Sequence, residues 1–265
     1  MGKNCLLIID PQNDFCDKKG SLFVPGADKD IKRLSKFIKR NKNNIDSIVV
    51  SLDTHNICDI AHPSFWINEN KKHPSEYTVI TLDDFKNKKW MPFTHMIDGW
   101  IEEYLIELTK KGRYPLVIWP PHCLSHSWGW EIPNELKKAI SLWEGKNRKV
   151  RIYEKGKSIF TENYSLFEAE YPFPEDDSTF FNYEIADFVI SHDKIFIGGE
   201  ARTHCVLNSI RSLVEHYGDK VVSKIVLLED ATSNVPMDSA IKFADDFFAE
   251  LEQKGMLIKK HGKRN

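Results

Sequence analysis

Short apolar runs rich in Ile and Val recur along the chain at 4-9, 46-52, 115-119, 149-153, 194-198 and 222-228. Each is too short for a stable helix and is bounded by polar or turn-forming residues, so each predicts a buried strand. Between several of these runs the apolar residues return at helical spacing instead. Over 28-40 the stripe is Ile31, Leu34, Phe37 and Ile38, and over 97-110 it is Ile97, Ile101, Tyr104, Leu105 and Leu108. Over 203-217 it is Val206, Ile210, Leu213, Val214 and Tyr217, and over 237-252 it is Met237, Ile241, Ala244, Phe248 and Leu251. Buried strands alternating with amphipathic helices predict βαβ units, an α/β protein with a mostly parallel sheet between two helical layers. Ligands of such sheets collect outside the carboxyl ends of the strands. The polar residues that follow each run therefore carry the functional question.

Two stretches interrupt the alternation. Residues 56-96 hold three Pro, several aromatics and little periodicity, and 168-183, with Pro172, Pro174, Glu175, Asp176 and Asp177, reads as an acidic surface loop. Loops of this length often cover a site. No repeat, low-complexity tract or linker marks a second domain, so 1-265 reads as one domain with insertions near 56-96 and 168-183. A chain of 265 residues, 41% of them hydrophobic, has material for one large core. A net charge of -2, from 37 Lys+Arg against 39 Asp+Glu, gives no reason to expect nucleic-acid or membrane-surface binding. The lysines of 29-43 read as a solvated helix face, and Lys259, Lys260, Lys263 and Arg264 as a loose tail. The N-terminal run Cys5-Leu6-Leu7-Ile8-Ile9 is too short for a signal segment, and no stretch approaches the ~20 apolar residues of a membrane span. Five scattered cysteines (5, 16, 58, 123 and 205) form neither a disulfide framework nor metal knuckles, which points to a reducing compartment, the cytosol. Homo-oligomerisation stays open.

Asp10-Pro11-Gln12-Asn13-Asp14-Phe15 follows the first run. Asp53-Thr54-His55 follows the second, and alternate residues of an extended segment point the same way, so Asp53 and His55 can converge. A carboxylate and an imidazole so placed suit a divalent first-row metal, though alone such a pair is as readily structural. Trp119-Pro120-Pro121-His122-Cys123 puts His122 at a third strand's end, where it could complete a three-ligand Lewis-acid site. His62 is a fourth candidate ligand or a loop histidine held by a local hydrogen bond. Lys155 follows the fourth run on the ligand side of the sheet. The fifth feeds Gly198-Gly199-Glu200-Ala201-Arg202-Thr203-His204-Cys205 and then a helix. This turn predicts Cys205 at a helix N-terminus, where the dipole lowers a thiol's pKa and free backbone N–H groups can hold an oxyanion. Alone, Cys205 reads as readily as a small buried hydrophobe. Together, Asp10, Lys155 and Cys205 follow three different strands at one edge of one sheet and supply a base, a cation and a nucleophile.

With these residues in place, the sequence resembles the isochorismatase-like cysteine hydrolases, and among them the nicotinamidase kind. The pattern D-x-Q-N-D-F is matched by Asp10 to Phe15, and G-x-L-x-V-P-G by Gly20 to Gly26. D-x-H is matched by Asp53 to His55, and W-P-x-H-C by Trp119 to Cys123. The K-G pair is Lys155-Gly156, Y-S-x-F is Tyr164 to Phe167, the nucleophile turn G-x-A-x-x-x-C-V is Gly199 to Val206, and the late E-D-A is Glu229 to Ala231. The matches come in the family's order from residue 6 to about 240.

The resemblance implies a Rossmann-like isochorismatase-like hydrolase fold with Cys205 as nucleophile, Asp10 as base and Lys155 bridging them. It implies an oxyanion hole from the N–H groups of Ala201 and Cys205, and a cis Glu200–Ala201 peptide. It implies a divalent metal, zinc ahead of iron or manganese, on Asp53, His55 and His122, with His62 as a further candidate. Phe15, Trp119 and Tyr164, with Glu200 and Ala201, would contact a small amide substrate. The chain departs from the family where A-T-D-x-C becomes Ala201-Arg202-Thr203-His204-Cys205, and where His126, Trp128, Gly129 and Trp130 replace the usual turn after W-P-x-H-C. These aromatics could resize the pocket. Alternatives are a hydrolase of another small amide or of a carbamoyl or ureido compound, and a non-catalytic binding protein on the same fold. A nucleotide-binding reading fails because Gly198-Gly199 is not G-x-G-x-x-G.

Overall fold

The computed structural model describes residues 2–145 and 147–260. Its first half runs β1 (Asn4–Ile9), α1 (Asn13–Cys16), α2 (Ala27–Asn41), β2 (Ser47–Asp53), β3 (Trp66–Ile67), β4 (Val79–Ile80), α3 (Leu82–Lys86), β5 (Met91–Pro92), α4 (Asp98–Lys110) and β6 (Leu116–Val117). The second half runs α5 (Asn134–Glu144), β7 (Arg151–Lys155), α6 (Tyr183–Ile190), β8 (Lys194–Gly199), α7 (Leu207–Tyr217), β9 (Ile225–Leu228), α8 (Asp238–Gln253) and β10 (Leu257–Lys259).

Six strands form one sheet in the order β10-β9-β8-β1-β2-β7, every pair parallel. Helices flank it. The central strand β1 is buried from Cys5 to Ile9, as expected of a parallel sheet covered on both faces. The chain fills one half of the sheet outward from β1 through β2 to β7, then crosses back to β8 and builds the other half. The order reverses between β1 and β8, which opens a crevice there at the strand ends. Asp10 follows β1 and Cys205 follows β8, so both stand at that crevice. Gly199 makes the junction: at φ +110° it lies so close to β1 that a Cβ would meet the Ile9 carbonyl oxygen at 2.0 Å.

α2 shows how the helices are specified. Its apolar stripe of Ile31, Leu34, Phe37 and Ile38 is buried, while Lys29, Lys32, Lys36 and Lys39 face solvent. Asp28 and Asp30 sit in the first turn and Lys39 and Arg40 in the last, with the signs the helix dipole favours.

The structure corrects several expectations. The run 115-119 forms β6, but outside the main sheet: it pairs antiparallel with β4. Pro115, Pro120 and Pro121 flank it and cannot donate ladder bonds, which suits a short side pairing. The fourth strand begins at Arg151 and reaches Lys155, two residues beyond its expected end. Val222–Lys224 is a 3-10 turn, so the run there becomes a strand only from Ile225. The expected loose tail pairs with β9 as strand β10 through Lys259; Lys263 and Arg264 lie outside the described residues. In the stretch 168-183, Ala169, Glu170 and Thr179 are buried, so it is not wholly a surface loop. Among the described residues, no helix is long and apolar enough to cross a membrane.

Candidate functional site

Asp10 leaves β1 in the left-handed region, at φ 42°, a conformation rare away from glycine and often found at functional sites. Ser51, a polar residue inside buried β2, fixes it: the Ser51 hydroxyl donates to Asp10 Oδ1 (2.6 Å), and the Asp10 amide donates to Ser51 Oγ (3.0 Å). Gln12 clamps the neighbouring strand end, donating from Nε2 to Asp53 O (2.7 Å) and accepting the Asp53 amide at Oε1 (2.7 Å). Lys155, the last residue of β7, is buried with its Nζ among four partners. It lies 3.1 Å from Asp10 Oδ2 and 3.0 Å from Asp53 Oδ1, donates to Asn163 O at 2.6 Å, and stands 3.8 Å from Cys205 Sγ. Gly156 leaves room for this cluster, since a Cβ there would come within 2.8 Å of Asp53 Oδ1.

Cys205 is not at the first turn of an α-helix, as its spacing suggested. It lies in a single π-helical turn, Arg202–Val206, that precedes α7. Such turns are rare and are found most often at functional sites. The thiol stands 3.8 Å from Lys155 Nζ, which itself lies 3.1 Å from Asp10 Oδ2. Burial pushes it well above its ordinary pKa, with Lys155 pulling the other way, so the expected depression by the helix dipole is overridden. Asp10 is also raised by burial, against the pull of Lys155. Burial opposes charge on Lys155, but Asp10 and Asp53 outweigh it and keep the ammonium protonated. The Lys155 ammonium thus sits between the Asp10 carboxyl and the Cys205 sulfur.

The second half of the site adjoins the first through Asp53. Its Oδ2 lies 3.1 Å from His55 Nε2 and 3.5 Å from His122 Nε2. One ligand atom from each of Asp53, His55 and His122 falls within 4.8 Å of the others. The segment after β6 brings His122 there by running beside the end of β2, with a bridge between His55 and Leu124 and the His55 amide donating to Cys123 O (3.1 Å).

The ring orientations fit metal binding. His55 Nδ1 donates to Asp59 Oδ2 (2.9 Å), which leaves Nε2 to face the cluster, and that buried atom has no hydrogen-bond partner despite its closeness to Asp53. His122 Nδ1 donates to Pro120 O (2.8 Å), so its Nε2 carries the lone pair. Burial opposes charge on His55, but Asp53 and Asp59 outweigh it and hold the ring's pKa well above the ordinary value. Asp53 is held well below the carboxylate range: His55 and Lys155 outweigh its burial. A buried carboxylate with two imidazole Nε2 atoms turned toward it has the charge and donor set of a divalent-cation site.

His62 stands beside this group rather than in it. Its Nδ1 donates to Asn56 O (3.0 Å) and its Nε2 lies 3.4 Å from His122 Nδ1, so it backs His122. Burial drops its pKa to about 2, which keeps the ring neutral.

Both halves open on one pocket of about 380 Å3, counting the space at its mouth. Phe15, Trp119, Tyr164 and Ala201 line it as expected, together with Asp53, His122 and Cys205. Trp119 Nε1 donates to the Tyr164 hydroxyl (3.1 Å), and Phe15 meets His122 edge-on at 5.4 Å. One expected contact does not hold. The Glu200 side chain is fully buried away from the lining, where it accepts the Ser233 amide, because the turn sends Ala201 into the pocket and Glu200 behind it. His126, Trp128 and Trp130 lie outside the lining: Trp130 Nε1 donates to Thr54 and Trp128 is half exposed. The Glu200–Ala201 peptide is cis, as the resemblance implied.

The sequence reading missed two polar residues of the pocket wall. His204 lines the pocket, stacks on Tyr114 at 4.8 Å, and is held near pKa 4 by burial. Glu162 lines it too, and burial raises its carboxyl to about 7 against the pull of His55. His204 stood inside the nucleophile motif and could have been read as a wall residue. Nothing in the spacing of Glu162 signalled its place.

No protein-family profile matches the chain. It is 24% identical over 212 residues to the nicotinamidase of Saccharomyces cerevisiae, covering 79% of this chain and 81% of that one. Its structure superimposes on the yeast nicotinamidase bound to the inhibitor nicotinaldehyde with a TM-score of 0.65 at 20% identity, covering 97% and 99% of the two chains. It also superimposes on the Pyrococcus horikoshii pyrazinamidase in complex with zinc, with a TM-score of 0.55 at 18% identity, covering 97% and 99%. The chain has the fold of these solved enzymes and, in sequence over most of its length, is similar to the nicotinamidases.

Proposed function

We propose that this chain is a cysteine amidohydrolase that converts nicotinamide to nicotinate and ammonia through a thioester on Cys205. One observation carries the reading: the Lys155 ammonium joins a thiol–carboxylate pair to a two-histidine, one-carboxylate cluster, and both open on one aromatic pocket. The fold shared with nicotinamidases and a pyrazinamidase supports it.

Asp10 takes the Cys205 proton as the sulfur attacks the amide carbonyl. Lys155 stays protonated beside Sγ and stabilises the charge that develops there. The N–H groups of Ala201 and Cys205 hold the carbonyl oxygen as it becomes anionic. Asp10 returns its proton to the leaving ammonia, then activates the water that releases the acid from the thioester. Phe15 and Trp119 grip the faces of a flat ring, and Tyr164 closes its edge. Asp53, His55 and His122 would hold a divalent metal, zinc ahead of iron or manganese, and His62 would steady His122. Such a metal supplies a Lewis acid that a pyridine-type ring nitrogen can meet, which favours nicotinamide over amides without one. A thiol nucleophile suits a reducing compartment, and we place the enzyme in the cytosol.

The test is ammonia release from nicotinamide by purified protein, with and without chelator, beside a panel of amides and ureido compounds. Chelator-sensitive turnover of nicotinamide above the panel, abolished in Cys205→Ala, is the expected result. Full activity in Cys205→Ala would overturn the mechanism, and turnover of a panel compound alone would overturn the substrate.

A further inference from the structure

We infer that Glu200 and Asp30 share one proton, and that this carboxyl–carboxylate pair is a positioning device for the turn that carries Cys205. The inference rests on the functional reading above only for its kinetic arm. Glu200 occupies the turn between β8 and Cys205, with its side chain fully buried behind the pocket. Its Oε2 accepts the Ser233 amide (3.0 Å). Its Oε1 is buried and has no donor from any other residue. Asp30, 1% exposed on α2, is held by the same Ser233 that holds Glu200, and two carboxylates offer only acceptors, so a bond between them needs a proton. A proton between them completes the bond and removes a buried like-charge repulsion.

Ser233 ties the pair to the turn. Its hydroxyl donates to Asp30 Oδ2 (2.5 Å), its amide to Glu200, and its carbonyl accepts the Arg202 amide (2.8 Å). Two residues on, the Val235 amide donates to Thr203 Oγ1 (3.2 Å), and Val235 lines the pocket beside Cys205. The turn is thus laced at three residues, Glu200, Arg202 and Thr203, to one segment anchored on Asp30.

From α2, Arg33 bonds Asp30 Oδ1 (2.8 Å) and faces its outer side. From α1 comes the buried Cys16 thiol, on which Glu200 and Asp30 both act. The Arg202 guanidinium, on the turn itself, is engaged by Asp245 of α8 (2.8 Å). Burial and the Asp30 charge raise the Glu200 carboxyl well above its ordinary value, and burial raises Asp30, as a shared proton requires.

Loss of that proton at alkaline pH would set two carboxylates against each other behind the turn. Glu200→Gln replaces the proton with an amide donor toward Asp30 and keeps an acceptor for Ser233. Asp30→Asn supplies the donor from the other side and serves if the first variant folds poorly. Difference infrared spectroscopy should show a protonated-carboxyl band in the wild type at neutral pH that Glu200→Gln lacks. Amide exchange across 199–206, corrected for its intrinsic pH dependence, should lose protection as pH rises in the wild type and not in either variant. The kcat for nicotinamide should fall on the alkaline side in the wild type, and that fall should be lost in both variants with KM little moved. An infrared spectrum unaltered by Glu200→Gln, or exchange profiles that superimpose, would overturn the inference. Absence of nicotinamide turnover in every protein would sink the functional reading instead, and the infrared and exchange results would still decide this one.

Discussion

Lys155 Nζ lies 3.0 Å from Asp53 Oδ1, while the other oxygen of the same carboxylate faces His55 and His122. One side chain thus belongs to both halves of the site. The ammonium neutralises Asp10 and Asp53 together, and all three are nearly inaccessible to water. Removing one partner of a buried ion pair leaves an uncompensated charge and costs about 3–5 kcal/mol. Lys155→Met should therefore lower stability by roughly that amount in chelator, read from urea unfolding, as well as abolish hydrolysis. A metal on Asp53 would replace part of the lost charge, so the deficit should shrink when metal is added. An undiminished midpoint in chelator would show that the ammonium is not the neutralising group.

Asp59 acts through His55. By accepting from Nδ1 it orients the ring and directs Nε2 at the cluster. Partners of this kind typically tune metal affinity by about 10–100-fold. Asp59→Asn should weaken metal binding on that scale in a competitive chelator titration, while His122→Ala should weaken it further. His62→Ala should have the smallest effect, because His62 Nε2 points at His122 and not into the cluster. A larger loss in His62→Ala than in His122→Ala would make His62 a ligand.

Much of this was legible because periodicity and motif residues coincide. The buried run of β1 ends at Asp10, and the motif Asp53-Thr54-His55 falls where β2 ends, so the strand pattern alone placed both at one sheet edge. The side pairing of β6 was not legible, because a short apolar run looks the same in a main sheet and in a two-residue ladder. Asp59, Glu162 and Asp30 lie outside every motif, and their roles arise from chain crossings that no spacing encodes. Ser51 did leave a trace, as the one polar residue inside the apolar run of β2, and its bond to Asp10 is the reason for it. The pKa of Cys205 was misjudged because a helix terminus argues from local geometry, whereas burial, a property of the whole fold, dominates.

The position of Cys205 makes the covalent step observable. The wild type, acid-quenched during turnover of nicotinamide, should carry a nicotinoyl group on the peptide containing Cys205, seen by intact and peptide mass. Cys205→Ala should carry none and should lose activity by ~10^6-fold, the scale set by removing a nucleophile from an otherwise intact site. Its unfolding midpoint should change far less than that of Lys155→Met, since it takes away a neutral thiol and no charge. Turnover without an adduct, in a protein whose adduct decays slowly enough to trap, would favour direct attack by water.

Glu170 gives a pH dependence that is independent of catalysis. It is 3% exposed; its amide donates to Glu162 O (2.8 Å), and its Oε2 is buried without a hydrogen-bond donor, 3.9 Å from Arg113 Nε. Burial raises its carboxyl from 4.5 to about 7, with Arg113 and Arg211 pulling against the shift. In the folded chain the group stays protonated where the unfolded chain has already released its proton. Its contribution to stability is therefore full below pH 4.5 and is lost as pH rises through about 7. The size of that loss is roughly 3 kcal/mol at most, from the shift alone. Glu170→Gln keeps the shape and cannot ionise, so its stability should lack this component between pH 4.5 and 7. The check is urea unfolding of both proteins across that window: the wild type should lose stability relative to the variant as pH rises, and parallel curves would mean that Glu170 is ionised in the fold.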